Sequence, residues 1–303
     1  MVAPLNLAIT GATGFVGGRL LDLALDAGHS VRALTRRPQP ARAGVAWIDG
    51  ALDRPDSLRD LVKSANAVIH VAGVINADAA GFEAGNVVGT GAILAAAEAA
   101  GVPRLVHVSS LAAREPALSL YGASKARSEA LVTASPLSTA IVRPPAVYGP
   151  GDRETLELFK MAKRGLLLLP PPGRLSLIHV DDLARLLLAL AAPDAPELII
   201  EPDDGRPGGW SHTEFGAALA RAVGVPARTI AVPRVLLSLG ARIDRLTRGS
   251  SAKLTADRVA YFCHPDWVVS PPRTAPPTLW TPQIDTEAGL AGTARWYRAQ
   301  RWL

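Results

Sequence analysis

Short apolar runs alternate with longer amphipathic segments along the first half of the chain. Predicted strands are LNLAIT, SVRALTR, VAWI, AVIHVA, RLVHVSS and STAIVR, and predicted helices between them are 14–27, 55–65, 80–100 and 121–134. The runs lack the polar alternation of a sheet with one wet face, so we expect strands buried on both faces. The pattern predicts an α/β fold with a doubly wound parallel sheet.

This rhythm changes after about residue 152. Longer loops rich in Pro and Gly follow, strand and helix patterns return in LIHV, DDLARLLLAL and ELIIEP, and the chain from 203 onward is richer in Trp, Pro and Arg. We predict that residues 1–152 and 175–202 form the sheet domain. Residues 153–174 and 203–303 are predicted to form a smaller, largely C-terminal lobe.

Composition and charge narrow the class of protein. The 303 residues are 49% hydrophobic and 19% charged, which is typical of a soluble globule. The net charge of +5 suits anionic small molecules, and its cations are too scattered to predict nucleic-acid binding. Cys263, the single cysteine, excludes an internal disulfide.

No signal for secretion or membrane insertion is found in the sequence. The N-terminus runs directly into an apolar strand, and the apolar stretch 183–192 is too short to span a bilayer. We therefore expect a cytoplasmic protein without stable membrane insertion. The segment VLLSLGARIDRLTRG has the basic amphipathic character of a membrane-surface helix, but packing on its own domain is the favoured interpretation.

A glycine-rich loop, TGATGFVG, joins the first predicted strand to the first predicted helix. Gly11 suits a tight turn, Gly14 suits close approach of a pyrophosphate, and Gly17 suits close packing of helix on strand. The helix N-terminus would attract the phosphate charge. The loop predicts a Rossmann-type dinucleotide site, with a glycine turn that binds no ligand as the alternative.

The end of the second strand bears on which dinucleotide is bound. Arg36 and Arg37 lie about 20 residues beyond the last glycine, where an acidic residue would contact the ribose of NAD. A guanidinium suits a 2′-phosphate, so NADP is the predicted cofactor and NAD the alternative. The other interpretation is two solvated arginines at a strand end.

Tyr121 and Lys125 lie four residues apart in YGASK, at the start of a predicted helix. Their side chains would leave the same helix face and could meet. The spacing alone fits either an ordinary solvated pair or a proton relay.

Taken in order, TGATGFVG, AVIHVAG, NVVGT, RLVHVSS, YGASK, RPPAVYGP and LIHVDDLARLL resemble the extended short-chain dehydrogenase/reductase superfamily. The resemblance is to its NAD-dependent epimerase/dehydratase branch and covers almost the whole chain. It implies a catalytic set of Ser110, Tyr121 and Lys125, with Ser109 as the alternative serine. The resemblance, together with the glycine loop and the strand-end arginines, gives as cofactor-binding residues Gly11, Thr13, Gly14, Phe15, Val16, Gly17, Arg36, Arg37, Val71, Ala72, Gly73, Lys125, Pro144 and Val147.

The chemistry of these three side chains can be stated in physical terms. A phenol titrates near pH 10, so Tyr121 needs neighbouring cations, here Lys125 and the oxidised nicotinamide, to favour its phenolate. The Ser110 hydroxyl would then orient the substrate oxygen. The resemblance also makes Asn86 the residue that steadies the helix behind Lys125.

The reaction itself is less well defined by the sequence. The family's dehydratases carry acids just after the catalytic hydroxyl, where this chain has Leu111 and Ala112, so dehydration is disfavoured. The C-terminal part is similar to dihydroflavonol-reductase-like and hydroxysteroid-dehydrogenase-like members. We expect hydride transfer between NADP(H) and a ketone or secondary alcohol on an apolar small molecule. The alternatives are a nucleotide-sugar epimerase and a non-catalytic module similar to NmrA-like regulators or the complex I accessory subunit.

Other polar residues have structural interpretations. His70, His107 and His179 lie in apolar strand runs and are expected to be hydrogen-bonded core histidines, with no metal site. One of Asp181 and Asp182 is expected to cap the following helix. Family members often form homodimers through the helices up to and including the Tyr-Lys helix, but the sequence does not define an oligomeric state.

Overall fold

Seven parallel strands form the central sheet, in the order β11-β6-β5-β4-β1-β2-β3. The computed structural model describes residues 3–249, 252 and 254–303. The strands are β1 (Asn6–Thr10), β2 (Ser30–Thr35), β3 (Val45–Asp49), β4 (Ala67–His70), β5 (Arg104–Val108), β6 (Ser138–Val142) and β11 (Ile199–Ile200). The predicted doubly wound α/β sheet is confirmed.

The strand order reverses at β1. This strand pairs with β2 on one side and with β4 on the other, and the chain then winds outward in both directions. In sheets of this kind ligands bind beyond the carboxyl ends of the strands at the reversal. The structure places the loops that follow Thr10 and His70 there.

Helices cover both faces of the sheet. α1 packs with α7 on one face, and the other face is covered by α2, α4 and α5. The helices are α1 (Phe15–Asp26), α2 (Pro55–Val62), α3 (Ala79–Phe82), α4 (Gly89–Ala99), α5 (Leu120–Ala134), α6 (Leu156–Lys163), α7 (Val180–Leu190), α8 (His212–Val223), α9 (Arg234–Arg248), α10 (Ala256–Phe262) and α11 (Thr286–Ala299).

The helix predicted over 80–100 is interrupted. Between α3 and α4 lies a π-helix, Glu83–Val88, whose wider turn accommodates one extra residue. Asn86, within it, binds the backbone of Val74 through both a donated and an accepted hydrogen bond. The π-helix holds Asn86 against this loop, which a straight α-helical pattern does not predict.

Three small sheets lie beyond the central one. β7 (Ala146–Tyr148) pairs with β10 (Leu177–His179), β8 (Leu166–Leu169) pairs with β13 (Arg228–Ala231), and β9 (Arg174–Leu175) lies between β12 (Trp210–Ser211) and β14 (Asp266–Trp267). A second core, rich in aromatic residues, forms between α6, α8 and α11. The division into the two predicted domains stays a prediction.

The start of α7 differs from expectation. His179 is the N-cap, because its Nδ1 accepts a hydrogen bond from the Asp181 backbone. Asp181 instead forms a two-bond ion pair with Arg19 of α1, at 2.6 and 2.9 Å. Asp182 accepts backbone hydrogen bonds from residues 283 and 284. The capping prediction for the aspartates is therefore wrong, although both lie in the first turn, where the helix dipole favours an acid.

Helix α9 does not pack as the favoured interpretation expects. It contacts α10, but Ala241 is its only buried residue, and five of its six large apolar side chains are exposed. Within the described part of the chain, no helix has the length and apolar character needed to cross a bilayer.

Candidate active site

The glycine loop follows β1 at the sheet reversal and leads into α1. Gly11 has φ +76°, and a Cβ there would lie 2.8 Å from the backbone nitrogen of Ala72. A Cβ on Gly17 would lie only 2.1 Å from the Gly11 carbonyl oxygen, so α1 approaches the loop as closely as a glycine permits. Thr13 and Gly14 are exposed at the N-terminus of α1, next to the partly buried Phe15 and Val16.

The loop after β4 faces this turn and is held by a chain of hydrogen bonds. The Thr10 hydroxyl lies 2.7 Å from His70 Nδ1 and accepts from the Ala72 backbone. His70 Nε2 lies 3.1 Å from the Thr90 hydroxyl, which donates to the Asn86 carbonyl. Burial lowers the pKa of His70 to about 3, so the ring is neutral. It is a hydrogen-bonded core histidine, as expected.

Val71, Ala72 and Gly73 pass from this chain toward the predicted catalytic helix. A Cβ on Gly73 would lie 3.2 Å from Lys125 Nζ and from Asn86 Oδ1. Gly73 is exposed, and its lack of a side chain leaves room for the Lys125 ammonium group beside the loop. Asn86 also donates to the Ser124 hydroxyl at 2.9 Å, which ties the π-helix to α5.

Arg36 and Arg37 are exposed just beyond the end of β2. Among the described residues, neither guanidinium has a recorded hydrogen bond or ion pair, whereas the Arg37 backbone is held by the Thr35 hydroxyl. Both cations therefore stand free beside the carboxyl edge of the sheet, where a phosphate could reach them. This arrangement fits the NADP prediction without testing it.

Helix α5 brings together the polar residues of the site. Ser119 caps it by accepting from the Gly122 backbone. Tyr121, Lys125 and Glu129 follow at intervals of four and share one face. Lys125 is 4% exposed and donates to the Val108 carbonyl at 2.9 Å, at the end of β5. Burial lowers its pKa to about 8, and the Glu129 charge acts in the opposite direction.

The two candidate serines have different partners. Ser109 donates to the Glu129 carboxylate at 2.5 Å and is thereby turned away from the phenol. Ser110 accepts from the Ala112 backbone at 3.2 Å. Its hydroxyl lies near enough to the Tyr121 hydroxyl to act on the pKa of that phenol. The structure thus brings Ser110, Tyr121 and Lys125 together.

The surroundings of Tyr121 are apolar and aromatic. Its ring lies 5.9 Å from that of Phe82 and 6.4 Å from that of Tyr261, which packs on Trp267. Burial raises the pKa of Tyr121, and the Ser110 hydrogen bond lowers it by less. Desolvation of the phenolate is thus the larger of these two effects in the protein itself, and a role for Lys125 together with the nicotinamide stays a prediction.

Behind Ser109 lies a charge network that the sequence analysis missed. Arg143 binds Glu129 through two hydrogen bonds, at 2.6 and 2.8 Å, and Glu201 at 3.3 Å. Glu201 is fully buried and also accepts from the Ser270 backbone and from Arg114. Arg143 thus ties the end of β6 to the catalytic helix. A carboxylate four residues after Lys125 was the available signal.

The remaining predicted residues lie around this centre. Pro144 is buried and accepts a hydrogen bond from the Leu111 backbone at 3.0 Å, just beyond Ser110. Val147 lies in β7 and packs against the main core. His107 stacks on His70 and bonds to the Ser128 hydroxyl, as a core histidine. Within the described ranges, no cluster of His, Cys, Asp and Glu could hold a metal ion.

The features described here fit a bound dinucleotide. A positive-φ glycine turn at the sheet reversal opens onto a helix N-terminus, and the second loop exposes Gly73 beside a buried ammonium group. These features define the class of dinucleotide-binding Rossmann proteins with a Ser, Tyr and Lys cluster at the edge of the site.

Comparison with known proteins gives the family. Residues 7–199 match the model described as the NAD dependent epimerase/dehydratase family. A protein from Caulobacter vibrioides named ceramide reductase is 40% identical over 310 residues, covering 98% of this chain and 96% of that protein. A 2-alkyl-3-oxoalkanoate reductase from Stenotrophomonas maltophilia is 28% identical, over 94% of this chain and 97% of that one. The chain belongs to the NAD-dependent epimerase/dehydratase family.

A solved structure supports the fold. The Bordetella bronchiseptica enzyme WbmG, in complex with NAD, matches with a TM-score of 0.77 at 21% identity, covering 99% of this chain and 96% of that one. The family and the reductase relatives make this protein an NAD(P)-dependent oxidoreductase of the short-chain dehydrogenase/reductase type.

Proposed function

We propose that this protein uses NADPH to reduce a ketone on an apolar small molecule, with Ser110, Tyr121 and Lys125 as the catalytic set. The observation that carries the proposal is the position of Tyr121, beside Ser110 and on the same helix face as buried Lys125. The raised pKa of Tyr121 favours reduction, because a neutral phenol is a proton donor.

Each residue has a defined part in the reaction. A bound nicotinamide dinucleotide would supply the hydride for the carbonyl carbon. Tyr121 donates its phenolic proton to the carbonyl oxygen, and Ser110 hydrogen-bonds to the same oxygen and orients the substrate. The Ser110 hydrogen bond and the Lys125 charge favour the phenolate left on Tyr121.

The dinucleotide would be held along the carboxyl edge of the sheet. The glycine loop and the start of α1 would bind the diphosphate, since free backbone N–H groups and the helix dipole favour an anion there. Arg36 and Arg37 would pair with a 2′-phosphate, which underlies the proposed preference for NADP over NAD. By family resemblance, the stretch 71–73, Pro144 and Val147 would border the ribose and nicotinamide.

An apolar substrate is supported by the setting of Tyr121. Leu111, Ala112 and Trp267 form a buried apolar cluster, against which Leu118, Leu175 and the ring of Tyr261 pack beside Tyr121. Such walls favour a hydrophobic carbonyl compound over a nucleotide sugar. The relatives are named for reduction of a ceramide and of 2-alkyl-3-oxoalkanoates. The predicted lobe of residues 153–174 and 203–303 would contribute this side of the pocket.

The test is a hydride-transfer assay that follows the nicotinamide absorbance. Substrates are a ketone-bearing ceramide, a 2-alkyl-3-oxoalkanoate and UDP-glucose, and variants are Tyr121→Phe, Ser110→Ala and Ser109→Ala. We expect turnover of the lipid ketones only. Losing the proton donor should lower kcat by about 10²- to 10⁴-fold in Tyr121→Phe. Ser110→Ala should lose more than Ser109→Ala, whose hydroxyl is bound to Glu129.

Tyr261→Phe is the matched control, since it removes a hydroxyl from the neighbouring ring and keeps the packing. Its kcat should stay within about threefold of the wild type. Unchanged turnover in Tyr121→Phe would contradict the catalytic assignment, and activity on UDP-glucose alone would contradict the substrate class.

A further inference from the structure

The outer face of α9 is apolar and exposed. Five of the six large apolar residues of α9 are more than half exposed, with Leu246 at 86% and Val235 at 77%. The others on this face are Leu236, Leu239 and Ile243. At about 100° per residue the five fall within an arc of roughly 100°, so they form one continuous stripe. We call this set the α9 stripe.

The opposite side of α9 holds it to the protein. Ala241 is buried there, Asp244 accepts from the Leu254 backbone at 2.8 Å, and a Cβ on Gly240 would lie 3.5 Å from the Leu254 side chain. The helix rests on α10, which carries Tyr261 against Tyr121. The α9 stripe therefore points away from the domain, one helix layer from the candidate active site.

Positive charge flanks the stripe. Residues 228–249 include five arginines and a single acid, Asp244, which faces the domain. Arg242 lies beside the stripe on the helix circumference, and Arg234 and Arg245 lie further round on the same side. All three are exposed. An apolar stripe with a cationic border matches the boundary between the acyl chains and the headgroups of an anionic bilayer.

The strand pair β8 and β13 also carries exposed apolar residues. Leu168 of β8 and Ile230 of β13 are register partners and are 47% and 49% exposed, and Leu166 on the same strand face as Leu168 is 41% exposed. β13 leads directly into α9. The segment 228–249 thus carries exposed apolar residues on both β13 and α9.

A second copy of the chain would fit this face less well than an anionic bilayer does. A two-fold contact between two α9 stripes would bring the same arginines of both copies together, with no acid at the border to pair them. We propose that α9 docks this protein reversibly on the surface of a membrane containing anionic lipids, with the stripe in the acyl boundary and the arginines at the headgroups. The helix, 15 residues long, lies in the membrane plane.

Docking on a membrane would also explain how a lipid substrate reaches the site, and this part of the inference rests on the proposed function. A lipid ketone would pass from the bilayer to Tyr121 beside α10 without crossing water. The docking itself needs neither substrate nor dinucleotide, so it is tested without them, and a failure of the reductase proposal leaves that test intact.

The experiment is co-sedimentation of the full-length protein with vesicles of phosphatidylcholine, with and without phosphatidylglycerol. Variants are Leu239→Glu/Leu246→Glu and Arg242→Glu/Arg245→Glu, with Lys63→Glu/Lys163→Glu as a control that makes the same charge change at exposed sites elsewhere. We expect wild-type binding that requires phosphatidylglycerol and weakens with salt. Each α9 variant should lose about tenfold or more in partition coefficient, and the control less than about threefold. Thermal unfolding by circular dichroism verifies that the variants fold.

Three results would overturn the proposal. One is wild-type protein that binds neither kind of vesicle, and another is undiminished binding by the folded Leu239→Glu/Leu246→Glu variant. The third is wild-type protein that binds no vesicles and forms a dimer in sedimentation velocity, while the Leu239→Glu/Leu246→Glu variant is a monomer. That result would make the face an interface between copies.

Discussion

Two adjacent glycines in α1 provide a matched pair for testing the cofactor site. A Cβ on Gly17 would lie 2.1 Å from the Gly11 carbonyl oxygen, more than an ångström inside the 3.4 Å at which ordinary contact begins. A Cβ on Gly18 would lie 3.5 Å from the Ala12 carbonyl, in ordinary contact. The substitutions Gly17→Ala and Gly18→Ala therefore make the same chemical change with opposite expected results.

The magnitudes follow from two effects. Alanine is favoured over glycine in a helix interior by about 1 kcal/mol, so Gly18→Ala should stabilise the protein by up to that amount. Gly17→Ala gains the same preference but forces α1 away from the loop at a cost of about 1–3 kcal/mol, a net loss of up to about 2 kcal/mol. Because the shift displaces Gly11 and the start of α1, NADPH affinity should fall at least about tenfold.

The assays are urea unfolding without ligand and fluorescence titration with NADPH, for the wild type and both variants. Wild-type NADPH affinity in Gly17→Ala would refute the reasoning, because the loop would then tolerate a methyl group where the structure leaves no space. Equal losses in Gly18→Ala would show that any methyl group on α1 impairs binding, and that the contact with Gly11 is not the cause.

Two further predictions concern charge at the site. Because burial lowers the pKa of Lys125 to about 8, its cation is lost as the pH rises through that value, so kcat/KM for ketone reduction should fall above pH 8 in a pH–rate profile. Glu129→Gln should move this midpoint lower, since the Glu129 charge raises the pKa of Lys125; a midpoint that stays in place would contradict the assignment. Arg36→Ser/Arg37→Ser should weaken NADPH binding about tenfold or more with little change for NADH in the same titration. Arg54→Ser, an exposed arginine outside the site, is the control, and an equal loss for both dinucleotides would contradict a 2′-phosphate contact.

The central sheet could be predicted because each of its strands is determined by a short continuous stretch of sequence. Unbroken apolar runs such as residues 67–70 identify strands buried on both faces, and a glycine turn directly after the first strand fixes where the winding starts. The π-helix could not be predicted in this way. It depends on Asn86 bonding to a loop 12 residues earlier in the chain, a contact that leaves no periodic pattern.

The sequence predicts which residues form the candidate site better than it predicts the direction of their pKa shifts. The four-residue spacing of Tyr121 and Lys125 correctly indicates a shared helix face, but it carries no information on how deeply the phenol is buried, and burial decides the direction of its pKa shift. The Arg143 network joins residues 14 and 58 positions apart and was missed for the same reason. For α9, amphipathic periodicity identifies an apolar face without saying what covers it.

The network behind Ser109 restricts how this family member can diverge. Loss of Arg143 alone would leave Glu129 buried without its guanidinium partner. Glu201 would keep Arg114, at 3.4 Å, as a charged partner and the Ser270 backbone as a donor. Mutation at any one of these positions is therefore penalised unless its partners change as well. We expect exposed positions to change singly, whereas these few buried charges are expected to change only together.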